Sequence, residues 1–277
     1  MPDPFRLAVC SVLLPEAEAN SVALAHEAGK RGADLVLLPE EPDIVAGKDP
    51  GQYRLEEHPL FQAYREAAAE HGIGAIGSLS AKVDGGYANT GFFIGRKGQL
   101  IGIYRKKHPA PNEEAIVTEP VAGDSFPVFD FEGTRIAIAI CMDIHFPEMF
   151  RIYGLKGADI VCVPTMYLDY TGDMLESIEK ARAIDSQMYF ALSRYLQKPF
   201  LAGKNMGYAK VISPDGRIIA STAHREGIVI AEFDPKYRML FWGEGYGGNL
   251  RTMFDTIRRP DLYGDLVKPR NDSSGKE

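Results

Sequence analysis

The chain has 277 residues, 45% of them hydrophobic, and a formal net charge of −7. That length suits one large domain or two small ones with a substantial core, and the negative charge argues against a nucleic-acid binder. No window approaches the roughly 18 uninterrupted apolar residues of a membrane-spanning helix, and the N-terminus MPDPFRLAVC lacks the basic-then-apolar pattern of a secretory leader. The three cysteines, Cys10, Cys141 and Cys162, show no CxxC spacing. They fit reduced thiols in a cytoplasmic protein better than a disulfide framework.

Residues 6–13 predict a buried strand, 16–30 a helix that Gly32 can end, and 33–40 (ADLVLLPE) a second buried strand stopped by Pro39-Glu40. Residues 41–58, broken by Pro42, Gly47, Pro50 and Gly51, predict an irregular loop, and 59–71 an amphipathic helix. Residues 73–83 are strand-like, and 87–94 with 99–106 predict a hairpin around Arg96-Lys97-Gly98. A proline-rich acidic loop, 108–125, leads to a strand pair, 126–131 and 135–140, that meets at Glu132-Gly133. In the second of these strands Ile136, Ile138 and Ile140 alternate with Ala137 and Ala139, a period of two rich in β-branched residues. The run stops at Cys141, a polar turn follows, and Pro147 can open a helix that ends near Gly157. Beyond it come a strand (158–165), a helix (173–187), a strand (189–196), a hairpin (207–223) turning at Pro214-Asp215-Gly216, and a last strand (228–234). From about residue 266 the chain is polar and predicts a loose tail on a single domain. The segments GADLVLLPE (32–40) and GADIVCVPT (157–165) echo each other, and a duplicated β-α-β layout would set Glu40 beside Thr165, both near the end of the Cys141 strand. Buried strands alternating with helices, mixed with hairpins, predict an α/β or α+β sandwich.

Several signatures fail on context. GIGAIG (72–77) follows a helix and enters a strand, the reverse of the dinucleotide-binding order, and GEGYGG (243–248) has no strand before it and no clear helix start. The six histidines show no ligand spacing along the sequence, so no metal site is predicted. What remains is a set of strand ends. A thiol delivered where an apolar strand turns into a helix resembles a nucleophile elbow with Cys in place of Ser. Cys10 and Cys162 lie inside apolar strands and predict core residues. Glu40 ends a strand apolar on both faces, where a partly desolvated carboxylate suits a general base; Glu41 is the rival position. Of Lys106 and Lys107, strand alternation allows only one to face the site.

Three ordered segments, LVLLPE with Glu40, YRKKHP with Lys106 and AICMDIHFPE with Cys141, resemble the carbon–nitrogen hydrolase (nitrilase) superfamily. ARAIDSQMYF (181–190), SPDGRIIA and RRPDLYG (258–264) extend the resemblance over nearly the whole chain. It implies a four-layer αββα sandwich, usually dimeric, with a Glu40–Lys106–Cys141 site and a further glutamate after the lysine, for which Glu114 is preferred to Glu113. It also implies cleavage of a small amide through a cysteine thioester, without metal or organic cofactor. Lys106 and the Met142 backbone N–H would form the oxyanion hole. Met142-Asp143, where true nitrilases carry an aromatic residue and Glu, resembles the amidase and carbamoylase branches. An N-carbamoyl amino acid hydrolase is the alternative, ahead of a true nitrilase or a silent binding protein. Tyr167, Tyr195 and Arg151 are candidates for contacting substrate, although for Arg151 an ion pair with Glu148 near the helix start is the favoured reading.

Overall fold

The computed structural model describes residues 3–14, 16–109, 120–166, 173–196, 208–223, 225–240 and 248–268. It divides into two compact units, residues 1–238 and 239–277.

In the first unit the strands run β1 (Phe5–Leu13), β2 (Leu35–Leu37), β3 (Gly74–Val83), β4 (Gly86–Ile94), β5 (Leu100–Arg105), β6 (Val128–Phe131), β7 (Thr134–Ile138), β8 (Ile160–Pro164), β9 (Tyr189–Leu196), β10 (Lys210–Ile212), β11 (Ile218–Ser221) and β12 (Gly227–Phe233). The helices are α1 (Ala17–Lys30), α2 (Pro42–Val45), α3 (Pro59–His71), α4 (Pro147–Leu155) and α5 (Asp173–Ser186). The main strand order is β5-β4-β3-β2-β1-β9-β8-β7-β6, with β12 on β1 and the β10–β11 hairpin on β9. β1, β2 and β3 are parallel, as are β7, β8 and β9. The two halves join where Ser11–Leu13 of β1 pairs with Arg194–Leu196 of β9.

Alternation along the strands sorts the core into layers. Leu7, Val9, Leu35, Leu37 and Ile76 face the other half-sheet, in one cluster with Ile136, Ile138, Ile160 and Leu192. Ala8, Cys10, Val12, Val36 and Leu38 face α1 and α3. The half-sheets touch at Gly91 of β4, where an added Cβ would lie 3.1 Å from Ile138 Cγ2 and 3.4 Å from Ile140 Cδ1. The fold is therefore the expected αββα sandwich. Burying each Leu, Ile or Val of these layers contributes about 1.5–3 kcal/mol.

Helix boundaries follow local chemistry. The His58 side chain caps α3 by accepting from Leu60 N (3.1 Å), Pro59 takes the first position, and Gly72 closes the helix at φ 63°. Residues 41–58, expected to be an irregular loop, contain α2 and a 3-10 turn at Leu55–Glu57.

The sequence echo is also an echo in space. Asp34 N donates to Arg6 O (2.8 Å) and Asp34 Oδ2 accepts from Arg6 N (2.9 Å). Asp159 does the same with Arg135, at 2.7 and 2.9 Å. The two units β1-β2-β3 and β7-β8-β9 thus start alike, and the carboxyl ends of β2, β7 and β8 come out on one rim.

The second unit holds α6 (Leu250–Ile257), capped by Asn249 Oδ1 accepting from Thr252 N (2.9 Å), and two 3-10 turns at Pro260–Leu262 and Gly264–Val267. The sequence reading predicts no helix here. The helix is only eight residues long, and its start depends on a single Asn cap.

Candidate active site

Glu40 stands just past β2 with 1% of its surface exposed. Its Oε1 accepts from Lys106 Nζ (2.8 Å) and Asn89 Nδ2 (2.8 Å), and its Oε2 accepts from the Met166 backbone N (2.7 Å). Tyr195, expected to contact substrate, is buried in the core and its hydroxyl donates to the Glu40 carbonyl (2.7 Å). It supports the carboxylate's backbone from behind.

Lys106 follows β5 and is 3% exposed. Its backbone is fixed by the bond from Lys106 N to Asn89 O (3.0 Å). The alternation question between the two lysines resolves geometrically: Lys107 turns away, with Nζ donating to Arg105 O (2.8 Å) and lying 4.4 Å from the Tyr104 ring centroid. Burial pulls the Lys107 pKa down.

Cys141 opens a 3-10 turn, Cys141–His145, with its backbone in the left-handed region at φ 46°. That conformation costs a non-glycine residue about 1–3 kcal/mol, a strain often found at functional sites. The thiol lies within electrostatic reach of Glu40 and Lys106 and hydrogen-bonds with the Thr165 side chain and the Met166 backbone. Burial pushes its pKa up, and the Glu40 carboxylate adds to this. The Lys106 ammonium and the two hydrogen bonds act the other way. The resting group is a neutral thiol beside an acceptor.

The elbow is pinned by Asp143, which is fully buried. Its Oδ2 accepts from Ile140 N (2.9 Å) and Tyr104 OH (2.7 Å), and its Oδ1 accepts from His108 N (3.1 Å). The His108 Nδ1 lies 2.7 Å from the same Oδ1, and the His108 ring stacks on Phe146 with centroids 3.5 Å apart. One carboxylate therefore ties the cysteine turn to both sides of the Lys106 strand end. Asn89 and Asp143 escape the sequence reading as site residues. The available signal was a polar residue inside an otherwise apolar stretch, which must be hydrogen-bonded when buried.

Met142 is the second residue of the 3-10 turn, and Arg151 sits half-buried in the second turn of α4. Glu113, Glu114 and Tyr167 lie outside the described residues.

The carbon–nitrogen hydrolase family model matches residues 16–239, a span that contains all of these groups. The chain belongs to the carbon–nitrogen hydrolase family. This hydrolase is 29% identical to the human omega-amidase NIT2 over 284 residues, covering 96% of this chain and 99% of that protein. It is 28% identical to the bovine deaminated glutathione amidase, with 95% and 84% covered. Its fold matches that of an amidase from Nesterenkonia sp. with a TM-score of 0.75 at 22% identity, covering 96% and 98% of the two chains. Another structure of that amidase shows Michael addition of acrylamide at its active-site cysteine.

Proposed function

We propose that this hydrolase converts a small carboxamide to a carboxylic acid and ammonia or an amine through a thioester on Cys141. The observation that carries this is the buried Glu40–Lys106 pair, 2.8 Å apart, set against a neutral thiol on a strained elbow. Glu40 takes the Cys141 proton as the sulfur attacks the amide carbonyl carbon. The carbonyl π pair moves onto oxygen beside the Lys106 ammonium and the Met142 N–H; an oxyanion-hole donor contributes about 2.7–4 kcal/mol when tested by removal. The oxyanion collapses, the C–N bond breaks, and Glu40 returns its proton to the leaving nitrogen. Glu40 then takes a proton from water, whose oxygen attacks the thioester, and the departing Cys141 sulfur regains that proton. Asp143 is not the base: its donors are the Ile140 N–H, the Tyr104 hydroxyl and the His108 N–H of the scaffold, and the carboxylate that acts on the Cys141 thiol is Glu40.

Glu114 is assigned to hold Lys106 and the substrate nitrogen, and Tyr167 and Arg151 to the substrate side. The names of the relatives, omega-amidase and deaminated glutathione amidase, favour amides over nitriles, as does Met142-Asp143. We read the chain as one catalytic domain with a C-terminal appendage, working as a homodimer in the cytoplasm. Its three buried free thiols fit a reducing compartment, and among the described residues no helix is long and apolar enough to cross a membrane.

A panel of matched amides, N-carbamoyl amino acids and nitriles decides the substrate class. Ammonia release with acid formation from amides, at rates well above the other two, is expected. Preferred carbon dioxide release from carbamoyl compounds contradicts the reading.

A further inference from the structure

We propose that His26, Glu70 and His71 form a binding site for a divalent transition metal of the zinc class, which staples α1 to α3. His26 Nδ1 lies 3.0 Å from His71 Nε2. Glu70 Oε2 lies 3.5 Å from His26 Nδ1, and Glu70 Oε1 lies 3.6 Å from His71 Nε2. With metal–nitrogen or metal–oxygen bonds of about 2.0–2.1 Å, tetrahedral ligand atoms sit about 3.3 Å apart. The nitrogen–nitrogen separation and the two nitrogen–oxygen separations, which run to different oxygens of Glu70, each lie near that edge length, so a turn of the exposed carboxylate is needed for one oxygen to serve both edges.

The two imidazoles meet edge-on, ring planes at 84° and centroids 5.2 Å apart. Their facing nitrogens share one proton in the hydrogen bond. A bound ion displaces that proton, which passes through solvent to the outer ring nitrogen of the imidazole that carried it, so both neutral rings present a lone pair, while the rings tilt to open the 3.0 Å contact by a few tenths of an ångström.

The site is half rigid and half open. His71 is wedged against α1, because an added Cβ at Gly29 would lie only 2.3 Å from the His71 Cβ. The Glu70 side chain is 60% exposed and that of His26 31%, so an ion enters from solvent and keeps water in its fourth position. Two imidazoles and one carboxylate suit Zn²⁺, Co²⁺, Ni²⁺ or Cu²⁺, whereas Mg²⁺ and Ca²⁺ prefer oxygen donors.

This is separate from the catalytic rim. α1 and α3 end at Lys30 and His71, just before the amino ends of β2 and β3, and Glu40 follows the carboxyl end of β2. The sequence hides the cluster because His26 and His71 are 45 residues apart and on different helices.

The test titrates the full-length chain, freed of metal by a chelator, with Zn²⁺ by calorimetry and with Co²⁺ by visible absorption. One equivalent is expected, with the intense d–d band of four-coordinate Co²⁺ and a rise in Tm. His26→Ala and Glu70→Gln should each weaken binding by more than about tenfold, since even outer-shell changes cost 10–100-fold, while turnover stays at the wild-type rate. Glu70→Gln changes an exposed residue and keeps the test valid if His26→Ala unfolds. No saturable binding to the wild type, or binding that survives in both variants and falls only in Cys141→Ala, overturns the proposal.

Discussion

At the scale of single residues, the site depends on where two buried carboxylates direct their oxygens. Glu40 faces a cation, an amide and a backbone N–H around the thiol, whereas Asp143 spends both oxygens on the scaffold. The distinction lay beyond the sequence reading, which sees two acidic residues near strand ends. It finds Glu40 because an apolar strand ends there, and it leaves Asp143 as a marker of reaction type. We predict that Asp143→Asn lowers stability by about 3 kcal/mol, as hydrogen bonds to a charged group each contribute about 1.5–3 kcal/mol. It should also reduce kcat more than it raises KM, because the Cys141 turn loses its register with Lys106. Tyr104→Phe removes one of those bonds and should show the smaller loss in both urea unfolding and turnover.

At the scale of elements, α5 is held to β9 and β10 by charge. Glu179 is fully buried and pairs with Arg194, which is 1% exposed, and with Lys210 Nζ at 2.7 Å. Glu176, on the same helix, accepts from Tyr208 OH (2.7 Å) and pairs with Lys180 (2.8 Å). Two buried cations on adjacent strands thus share the Glu179 carboxylate, and Lys210 also reaches Glu176 Oε2 at 3.4 Å. Replacing Glu179 with Gln should cost about 3–5 kcal/mol by leaving buried charge uncompensated, measured as a lower midpoint in urea. A change below about 1 kcal/mol would contradict this account of the contact. Sequence periodicity places these elements well: α3 is expected and found at residues 59–71, and β7 ends at Ile138, two residues short of Ile140, whose N–H donates to Asp143 Oδ2. It cannot see the charge network, because its members are spread over two strands and a helix.

At the scale of the whole molecule, the fold was legible because strand and helix periods agree with turn chemistry along nearly all of the first unit. The repeated GAD-strand segment went further and anticipated a rim that Glu40 and Thr165 share. The short helix α6 and the His26–His71 contact were not legible, since one rests on a single cap and the other on tertiary packing. Burial of Cys10, Cys141 and Cys162 raises each thiol's pKa above the ordinary range. Below about pH 8.5 the thiols are protonated in both folded and unfolded chains and their contribution is fully present. As pH rises further, the unfolded chain releases protons that the folded chain keeps, so stability falls by about 1.4 kcal/mol per pH unit for each thiol. Urea midpoints between pH 8 and 9.5 should decline accordingly, and less steeply for a Cys10→Ala, Cys162→Ala chain. A flat profile would show that the thiols are not desolvated.

Amide cleavage by the Glu40–Lys106–Cys141 site requires a thioester at Cys141. Wild-type protein mixed with a slow amide substrate and quenched in acid should gain the mass of the acyl group on the peptide containing Cys141. Glu40→Gln should slow its formation, and Cys141→Ala should show neither adduct nor turnover. Undiminished amide hydrolysis by Cys141→Ala would contradict the account.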